Sequence, residues 1–399
     1  MRSPLSSPLA RHGRAFLQGT LALGLCAAVV ASEPPRSAVN NKPIDLLSSP
    51  SPRTTQGARK LLTDIAQAGQ RLVAVGESGL VLLSDDQGQT WRQAPTPTSV
   101  MLTAVAFAGD KAGWAVGHDG VILATSDGGA TWQRQLDGRQ ADPLILAAAR
   151  AQLAKLPAGN PDDPSPQRLQ AEDAVAAAEA AVQGGPSRPL LAVRFFDTER
   201  GLAAGAFGQL FSTTDGGKHW AYIGDRLDNA EGLHLNGLTL TADGQILIAA
   251  ENGTVFSSSD QGRSWSKAQV GYNGYLYGVL AVPGVGLTAY GFNGHVFRSV
   301  DGGANWKPVN SHSARSIVAA QAIPGGALLL NEDGQVLLSQ DQGASFKPLG
   351  ARLPVKRLSG VTLLQRPGQG RTLVTVGLGG AALHTLPSAA TADSQRISP

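Results

Sequence analysis

A short turn followed by an aromatic residue, tryptophan in five copies and phenylalanine in one, occurs six times in this sequence and sets the spacing of the other elements. Its clearest copy is the segment Ser-Asp-Gly-Gly-Ala-Thr-Trp at 126–132. The aspartates that mark the six copies are Asp86, Asp127, Asp215, Asp260, Asp301 and Asp341. They are 41, 88, 45, 41 and 40 residues apart, so a unit of about 41 residues repeats and one interval holds about 47 more. A period of this length is typical of solenoids and propellers.

Each unit contains the same four short strands. In the second unit they are 102–107, 113–117, 121–125 and 131–134, and four short antiparallel strands form one propeller blade. The four-strand pattern can be placed on the sequence seven times, with the last copy incomplete. Its first strands begin at Leu62, Leu102, Leu190, Leu235, Leu276, Ile317 and Leu358. We therefore predict an all-β fold, a seven-bladed β-propeller with four-stranded antiparallel blades.

The third residue of each first strand is small or short. These residues are Asp64, Ala104, Ala192, Gly237, Gly278, Ala319 and Gly360. Small side chains are expected where innermost strands converge on a central channel.

The long interval predicts an inserted α-helical hairpin between blades 2 and 3, within residues 137–187. Segments 143–156 and 166–182 are rich in Ala and Leu, and Ser165 precedes Pro166 as an N-cap. We expect its apolar side chains to pack the helices together and onto the ring: Leu146, Leu153, Leu156, Leu169, Val175 and Val182. A partner-docking role is the alternative, because insertions in repeat proteins often lie on the binding face.

The seventh unit ends after its third strand, 381–385, and leaves a strand edge that something must cover. We expect segment 32–55, around 44–48, to complete that blade and close the ring. An irregular covering tail is the alternative. The propeller then spans 56–388, and residues 389–399 form a disordered tail.

Residues 1–31 have the pattern of a secretory signal, with three arginines ahead of an apolar run at 15–31. We expect cleavage near Ala31 or Ser32 and a periplasmic or secreted protein. A retained membrane anchor is the alternative. Bulky Leu25 before Cys26 argues against a lipoprotein.

Charge and cysteine content argue against a nucleic-acid-binding protein and against a fold held by disulfides. Removal of the three signal arginines leaves 30 basic and 30 acidic residues, so the mature chain has no excess of positive charge to attract nucleic acid. The single cysteine, Cys26, leaves with the signal, so the mature chain has no disulfide. We expect a monomer.

The repeated motif Ser/Thr-x-Asp-x-Gly-x-Thr/Ser-Trp resembles the Asp box, or BNR repeat, of sialidases and many other propellers. In each copy the Asp and Ser/Thr side chains can satisfy the turn's own backbone, and the aromatic residue can pack between sheets. The six carboxylates are therefore predicted to be structural, not catalytic. The structural set is Asp86, Trp91, Asp127, Trp132, Asp215, Trp220, Asp260, Trp265, Asp301, Trp306, Asp341 and Phe346.

Over residues 56–388 the chain resembles the Ycf48/HCF136-like family, the photosystem II assembly and stability factors and their bacterial relatives. The segments Leu-Thr-Ala-Val-Ala-Phe at 102–107 and Gly-Trp-Ala-Val-Gly-His-Asp-Gly-Val-Ile-Leu at 113–123 carry this resemblance, together with the Asp turns. The resemblance implies a lumenal or periplasmic propeller that binds a protein without catalysis. Non-photosynthetic relatives resemble proteins found with RND-type exporters.

An enzyme is the main rival interpretation. A sialidase needs an arginine triad and a Tyr/Glu pair, and a typical glycosidase needs two carboxylates roughly 5–10 Å apart. The sequence has carboxylates without that pattern, so we expect no catalytic residue and no cofactor. No His stands at metal-ligand spacing from His118, so we expect no metal site. Carbohydrate binding and small-ligand binding at the channel mouth stay open.

Strand order assigns the binding face. The Asp turns share one end of the ring with the first-to-second turns, so the second-to-third turns and the connections between blades lie at the other end. The candidate residues there are Glu77, His118, Asp119, Arg194, Phe207, Glu251, Asn252, Tyr272, Tyr275, Tyr277, Phe292, Asn293, Glu332 and Asp333. Aromatic residues among polar groups suit protein recognition. We expect an envelope or membrane protein complex as the partner and leave peripheral membrane association open.

Overall fold

The computed structural model describes residues 44–158, 165–282, 284, 286–364 and 371–386. The expected signal peptide at 1–31, the segment 32–43 and the tail at 389–399 lie outside these residues. The described chain is mostly β, with seven antiparallel sheets and two helices.

Each sheet is a meander of strands that follow one another in the chain. Sheet 1 contains β1 (Leu62–Ala68), β2 (Arg71–Gly76), β3 (Val81–Ser84) and β4 (Arg92–Ala94). Sheet 2 contains β5 (Leu102–Ala108), β6 (Ala112–Gly117), β7 (Ile122–Thr125) and β8 (Gln133–Leu136). Sheet 3 contains β9 (Leu190–Phe195), β10 (Gly201–Gly205), β11 (Leu210–Thr213) and β12 (Ala221–Tyr222).

The remaining four sheets repeat this order. Sheet 4 contains β13 (Leu235–Leu240), β14 (Ile246–Ala250), β15 (Thr254–Ser258) and β16 (Ser266–Gln269). Sheet 5 contains β17 (Leu276–Val282), β18 (Gly286–Gly291), β19 (Val296–Ser299) and β20 (Lys307–Val309). Sheet 6 contains β21 (Ile317–Ile323), β22 (Gly326–Asn331), β23 (Val336–Ser339) and β24 (Lys347–Pro348). Sheet 7 contains β25 (Leu358–Leu364), β26 (Thr372–Gly377) and β27 (Gly380–Thr385).

The sheets form a ring because the first strand of each lies beside the first strand of the next, and β25 lies beside β1. Polar side chains in these strands bind backbone across the junctions. The Thr63 hydroxyl donates to the Leu102 carbonyl at 2.7 Å, and the Thr103 hydroxyl donates to the Leu190 carbonyl at 2.6 Å. Adjacent sheets are therefore joined by hydrogen bonds as well as by apolar packing.

The core lies between the faces of neighbouring sheets. Second and third strands are almost wholly buried, as their runs of Val, Leu, Ile and Ala require. Phe211, Phe256 and Phe346 are among the largest fully buried side chains. Within the sheets, the exposed residues concentrate in the fourth strands and in the turns.

The expected closure of the ring by segment 44–48 is wrong for the residues that the structure describes. Sheet 7 has three strands, and segment 44–48 forms a turn beside sheets 1 and 2. The Leu46 carbonyl there accepts a hydrogen bond from the Ser99 N–H at 2.8 Å, and Leu47 is buried among residues of both sheets. A short turn, Gly57–Arg59, packs against β27 instead. Burial of Leu47 between the two sheets accounts for the position of the segment.

Two helices, α1 (Gly138–Lys155) and α2 (Pro166–Gly184), occupy the long interval between β8 and β9. Helix α1 begins five residues before the expected Pro143, because Asp137 caps it: the Asp137 carboxylate accepts from the Arg139 N–H at 2.9 Å, within a capping box that includes Gln140. Arg150 of α1 forms an ion pair with Glu179 of α2 at 2.7 Å.

The helices contact the ring through smaller side chains than expected. Ala141, Ile145 and Ala178 are buried in the core between sheets 2 and 3, and Leu146 packs at its edge. Leu169 and Val182 are 46% and 41% exposed, so their expected burial is wrong. Neither of the two helices in the described chain combines the length and the apolar character that a membrane span needs.

Candidate functional site

The Asp turns use their own side chains to satisfy their own backbone. In the first, the Asp86 carboxylate accepts from the Ser84 hydroxyl at 2.8 Å, the Thr90 N–H at 2.9 Å and the Thr90 hydroxyl at 2.6 Å. The Gly88 N–H donates to the Ser84 oxygen at 2.7 Å. Equivalent bonds surround the other five aspartates. The turn thereby occupies at least three of the four acceptor positions of each carboxylate.

The same bonds set the acidity of the turns. Hydrogen bonds from the residue four positions later lower the pKa of Asp86, Asp215 and Asp301 from 3.8 to about 2. The pKa is also lowered at Asp127, Asp260 and Asp341, with burial as an opposing effect. A carboxylate held in its ionised form suits a structural acceptor more than a general acid.

The opposite end of the ring, which we call the rim face, carries the second-to-third turns and the connections between sheets. Five of these turns place a residue other than glycine in the left-handed region, with φ between 52° and 57°. The residues are Ser78, Asp119, Phe207, Asn252 and Asn293. Asn and Asp tolerate this region, whereas Phe is strained there. Phe207 is thus held against its backbone preference with its side chain 59% exposed.

Phe207 is the centre of the first aromatic cluster on the rim face. Its ring meets that of His234 edge-on at 4.8 Å between centroids, and the Arg188 guanidinium lies 5.6 Å from its centroid. The His234 backbone N–H donates to the Glu251 carboxylate at 2.8 Å. Arg188 thus lies over the exposed Phe207 ring, and Glu251 binds the histidine that packs against that ring.

Tyr275 and Phe292 form the second cluster. They are 49% and 41% exposed, and their rings pack edge-on at 6.4 Å. Tyr272, three residues before Tyr275, packs on His295 with their ring centroids 4.0 Å apart.

A cavity of about 380 Å³ opens beside this second cluster. The Asn293 N–H reaches the hydroxyl oxygen of Ser316, which lines the cavity, at 3.4 Å. The cavity walls also include Tyr277, Glu332, Arg357 and the 55% exposed Leu378. Apolar wall and convergent polar groups are the usual composition of a binding pocket.

Ion pairs engage most other acidic candidates on the rim. Glu77 pairs with Lys60 at 3.5 Å, Asp333 pairs with Arg315 at 3.0 Å, and Glu332 lies 3.8 Å from Arg357. Glu251 binds His234, and Asn252 reaches Glu231 at 3.4 Å. Apart from the adjacent Glu332 and Asp333, these carboxylates lie on separate turns of the ring, and each has its own partner.

His118 and Asp119 lie at one rim turn of sheet 2. Burial raises the pKa of Asp119, with neighbouring His118 acting in the opposite direction. Across the described ranges, no group of three or more His, Cys, Asp or Glu side chains is placed to hold a metal ion.

Arg194 does not join the rim face. It lies in β9, the innermost strand of sheet 3, and lines the central channel with Asp64 and Tyr290. The sequence pattern alone places Arg194 with the rim residues and marks Asp64 only as a short side chain. A signal was present, since Asp64 is the only charged residue at the third position of the seven first strands, and Arg194 is the only one at the fifth. Tyr290 gave no signal, because it lies in a second strand and reaches the channel over Gly278.

Comparisons with known proteins agree with this architecture. Residues 178–329 match the family model described as photosynthesis system II assembly factor YCF48. The chain is similar to the structure of YCF48 bound to D1 peptide, with 16% identity, a TM-score of 0.58, and 83% of this chain and 95% of that chain covered. YCF48 from Cyanidioschyzon merolae gives 15% identity and a TM-score of 0.56, with 85% and 98% covered.

A propeller of another kind is also similar. The WD40 β-propeller domain of Doa1 matches with 11% identity and a TM-score of 0.53, covering 87% of this chain and 98% of that chain. No curated protein sequence matches the chain. At these identities the similar structures establish the β-propeller fold and leave function to be argued from the site.

Proposed function

We propose that this chain, a Ycf48-like BNR β-propeller, is a non-enzymatic scaffold or assembly factor that binds a segment of an envelope or membrane protein on its rim face. It has seven blades, with the helical hairpin inserted between blades 2 and 3. We place it in the periplasm or outside the cell after removal of residues 1–31.

The observation that carries the proposal is the exposed Tyr275–Phe292 pair beside the 380 Å³ cavity. Exposed large aromatics cost solubility and are concentrated where a partner covers them. The strained conformation of Phe207 on the same face supports this interpretation, because backbone strain persists where function requires it.

The likeness to Ycf48 supports the kind of partner. One similar structure is of YCF48 bound to D1 peptide. The pocket here has an apolar wall at Leu61 and Leu378 and a charged edge at Glu332 and Arg357, so it can hold an apolar side chain together with polar groups of an extended segment.

Site-specific photocrosslinking in the native host tests the proposal. A crosslinker replaces Phe292 on the rim face, and a matched one replaces Val300, which is 67% exposed in an Asp turn at the other end of the ring. We expect a membrane or envelope protein to crosslink through position 292 and not through position 300. Its identity separates a photosystem subunit from an exporter component. Equal labelling from both positions would contradict the proposal.

The hairpin gives a second arm of that experiment. Gly138 lies against Pro186, so residues 139–185 can be removed and the ends joined directly. If the hairpin only packs on the ring, the deletion keeps the crosslink. Loss of the crosslink in a folded deletion variant assigns part of the partner surface to the hairpin.

A further inference from the structure

The central channel contains a polar cavity that is separate from the rim pocket. Its volume is about 320 Å³, and its walls are the first strands of sheets 1, 2, 3, 6 and 7 with Tyr290 of sheet 5. Ala106, Ala319 and Gly360 leave room between the strands. Three side chains give it chemical character: Asp64, Arg194 and Tyr290.

Asp64 presents a fixed carboxylate. One oxygen accepts from the Ile65 N–H at 2.8 Å, and the other accepts from the Val105 N–H at 2.9 Å. Each carboxylate oxygen has a second acceptor position, and these are free to meet a donor in the channel. Burial raises the pKa of Asp64, and the charge of Arg194 opposes that effect.

Arg194 and Tyr290 present donors. One Arg194 nitrogen donates to the Val193 carbonyl at 2.8 Å, and within the described chain no carboxylate oxygen lies within 4.0 Å of its guanidinium. The Tyr290 hydroxyl lies over Gly278, where a Cβ would come within 2.3 Å of it. Burial raises the pKa of Tyr290 to about 12, so it is a neutral donor.

The channel therefore holds a negative group and a positive group that do not form a direct ion pair. Arg194 is exposed and Asp64 is half-buried, so both charges can be reached from the channel, and a ligand that bears both charges would pair with both. Asp64 would repel a purely anionic ligand, and Arg194 would repel a purely cationic one.

We propose that the channel binds a small zwitterion, with its ammonium group on Asp64 and its carboxylate on Arg194 and the Tyr290 hydroxyl. An amino acid is the simplest ligand of this class. The glycine at position 278 has a defined role in this site, since any larger residue would displace the tyrosine hydroxyl. The site is independent of partner binding on the rim.

Calorimetric titration of the purified mature chain tests the assignment. The probes are glycine, β-alanine and γ-aminobutyrate, which separate the two charges by increasing distances, with acetate and methylammonium as single-charge controls. We expect at least one zwitterion to bind, and to bind at least tenfold more tightly than either single-charge probe. Absence of binding by all three zwitterions, or equal binding of acetate, would overturn the proposal.

Variants locate the binding. Arg194→Gln and Asp64→Asn should each weaken the zwitterion at least tenfold, and Tyr290→Phe should weaken it several-fold. Arg263→Gln and Asp243→Asn, both in turns outside the channel, are the matched controls and should bind as the wild type does. Unchanged affinity in a folded Arg194→Gln protein would overturn the assignment. Because Phe292 lies outside the channel, Phe292→Ala should keep zwitterion binding, so failure of the rim proposal is distinguishable.

Discussion

The carboxylate of Asp64 in sheet 1 accepts a hydrogen bond from the backbone N–H of Val105 in sheet 2 across 2.9 Å. The bond joins two blades at the wall of the channel and orients the carboxylate toward the cavity. One side chain thereby contributes both to the ring and to the polar character of its centre.

Removal of that acceptor should destabilise the ring. Asp64→Ala leaves the N–H groups of Ile65 and Val105 without their partner, and we expect a loss of about 1–3 kcal/mol in the free energy of unfolding. Asp64→Asn keeps one acceptor and removes a buried charge, so it should lose less. Urea denaturation of both variants measures the difference. An alanine variant as stable as the asparagine variant would contradict this role.

Two tryptophans of the Asp turns should lose different amounts of stability on substitution. The Trp306 indole N–H donates to the Gly303 carbonyl at 2.9 Å, whereas the buried indole N–H of Trp265 meets no acceptor among the described residues. Trp306→Phe should therefore cost about 1 kcal/mol more than Trp265→Phe in unfolding free energy. Parallel chemical denaturation compares the two half-buried positions, and equal losses would contradict the hydrogen-bond account.

The low pKa values of the Asp-turn carboxylates predict that the fold loses stability in acid. Asp86, Asp215 and Asp301 have a folded-state pKa of about 2 against an ordinary value of 3.8, so they contribute stability above pH 3.8 that is lost as the pH falls toward 2. The melting temperature should fall through this window. Asp301→Asn should make the fall shallower, whereas Asp173→Asn, on α2, is the control. Identical pH profiles for wild type and Asp301→Asn would contradict the linkage.

We expect Phe207 to lower the stability of the fold and to contribute to partner binding. With φ at 56°, its backbone conformation costs roughly 1 kcal/mol for a residue other than Gly, Asn or Asp. Phe207→Asn copies the residue found in the turns at 252 and 293, and should be at least as stable as the wild type in urea. The same variant should lose crosslinking yield from position 292 or association with the partner. A less stable variant with full association would reverse this interpretation.

Local sequence predicted most of the architecture. The seven first strands begin at the expected residues, because each combines an apolar start with turn signals on both sides. The start of α1 was missed, because Pro143 resembled an N-terminus more strongly than the Asp137 capping box did. The position of segment 44–48 depends on the burial of Leu47 between sheets 1 and 2, a tertiary contact that no local pattern encodes.

The candidate site was less accessible to sequence reasoning. The position of the rim turns could be predicted from strand order, because successive turns of an antiparallel blade lie alternately at its two ends. The three channel side chains could not be predicted in this way. Asp64, Arg194 and Tyr290 come from three different sheets and from two different strand positions. Only closure of the ring brings them to one cavity, and closure is a property of the whole chain.

Paired crosslinking at positions 292 and 300 decides whether the rim face recognises a partner. Partner recognition at the rim face predicts that a membrane or envelope protein is captured through position 292, that position 300 captures none, and that Phe207→Asn reduces the yield. Capture of the same protein from both ends of the ring, or from position 300 alone, would contradict it.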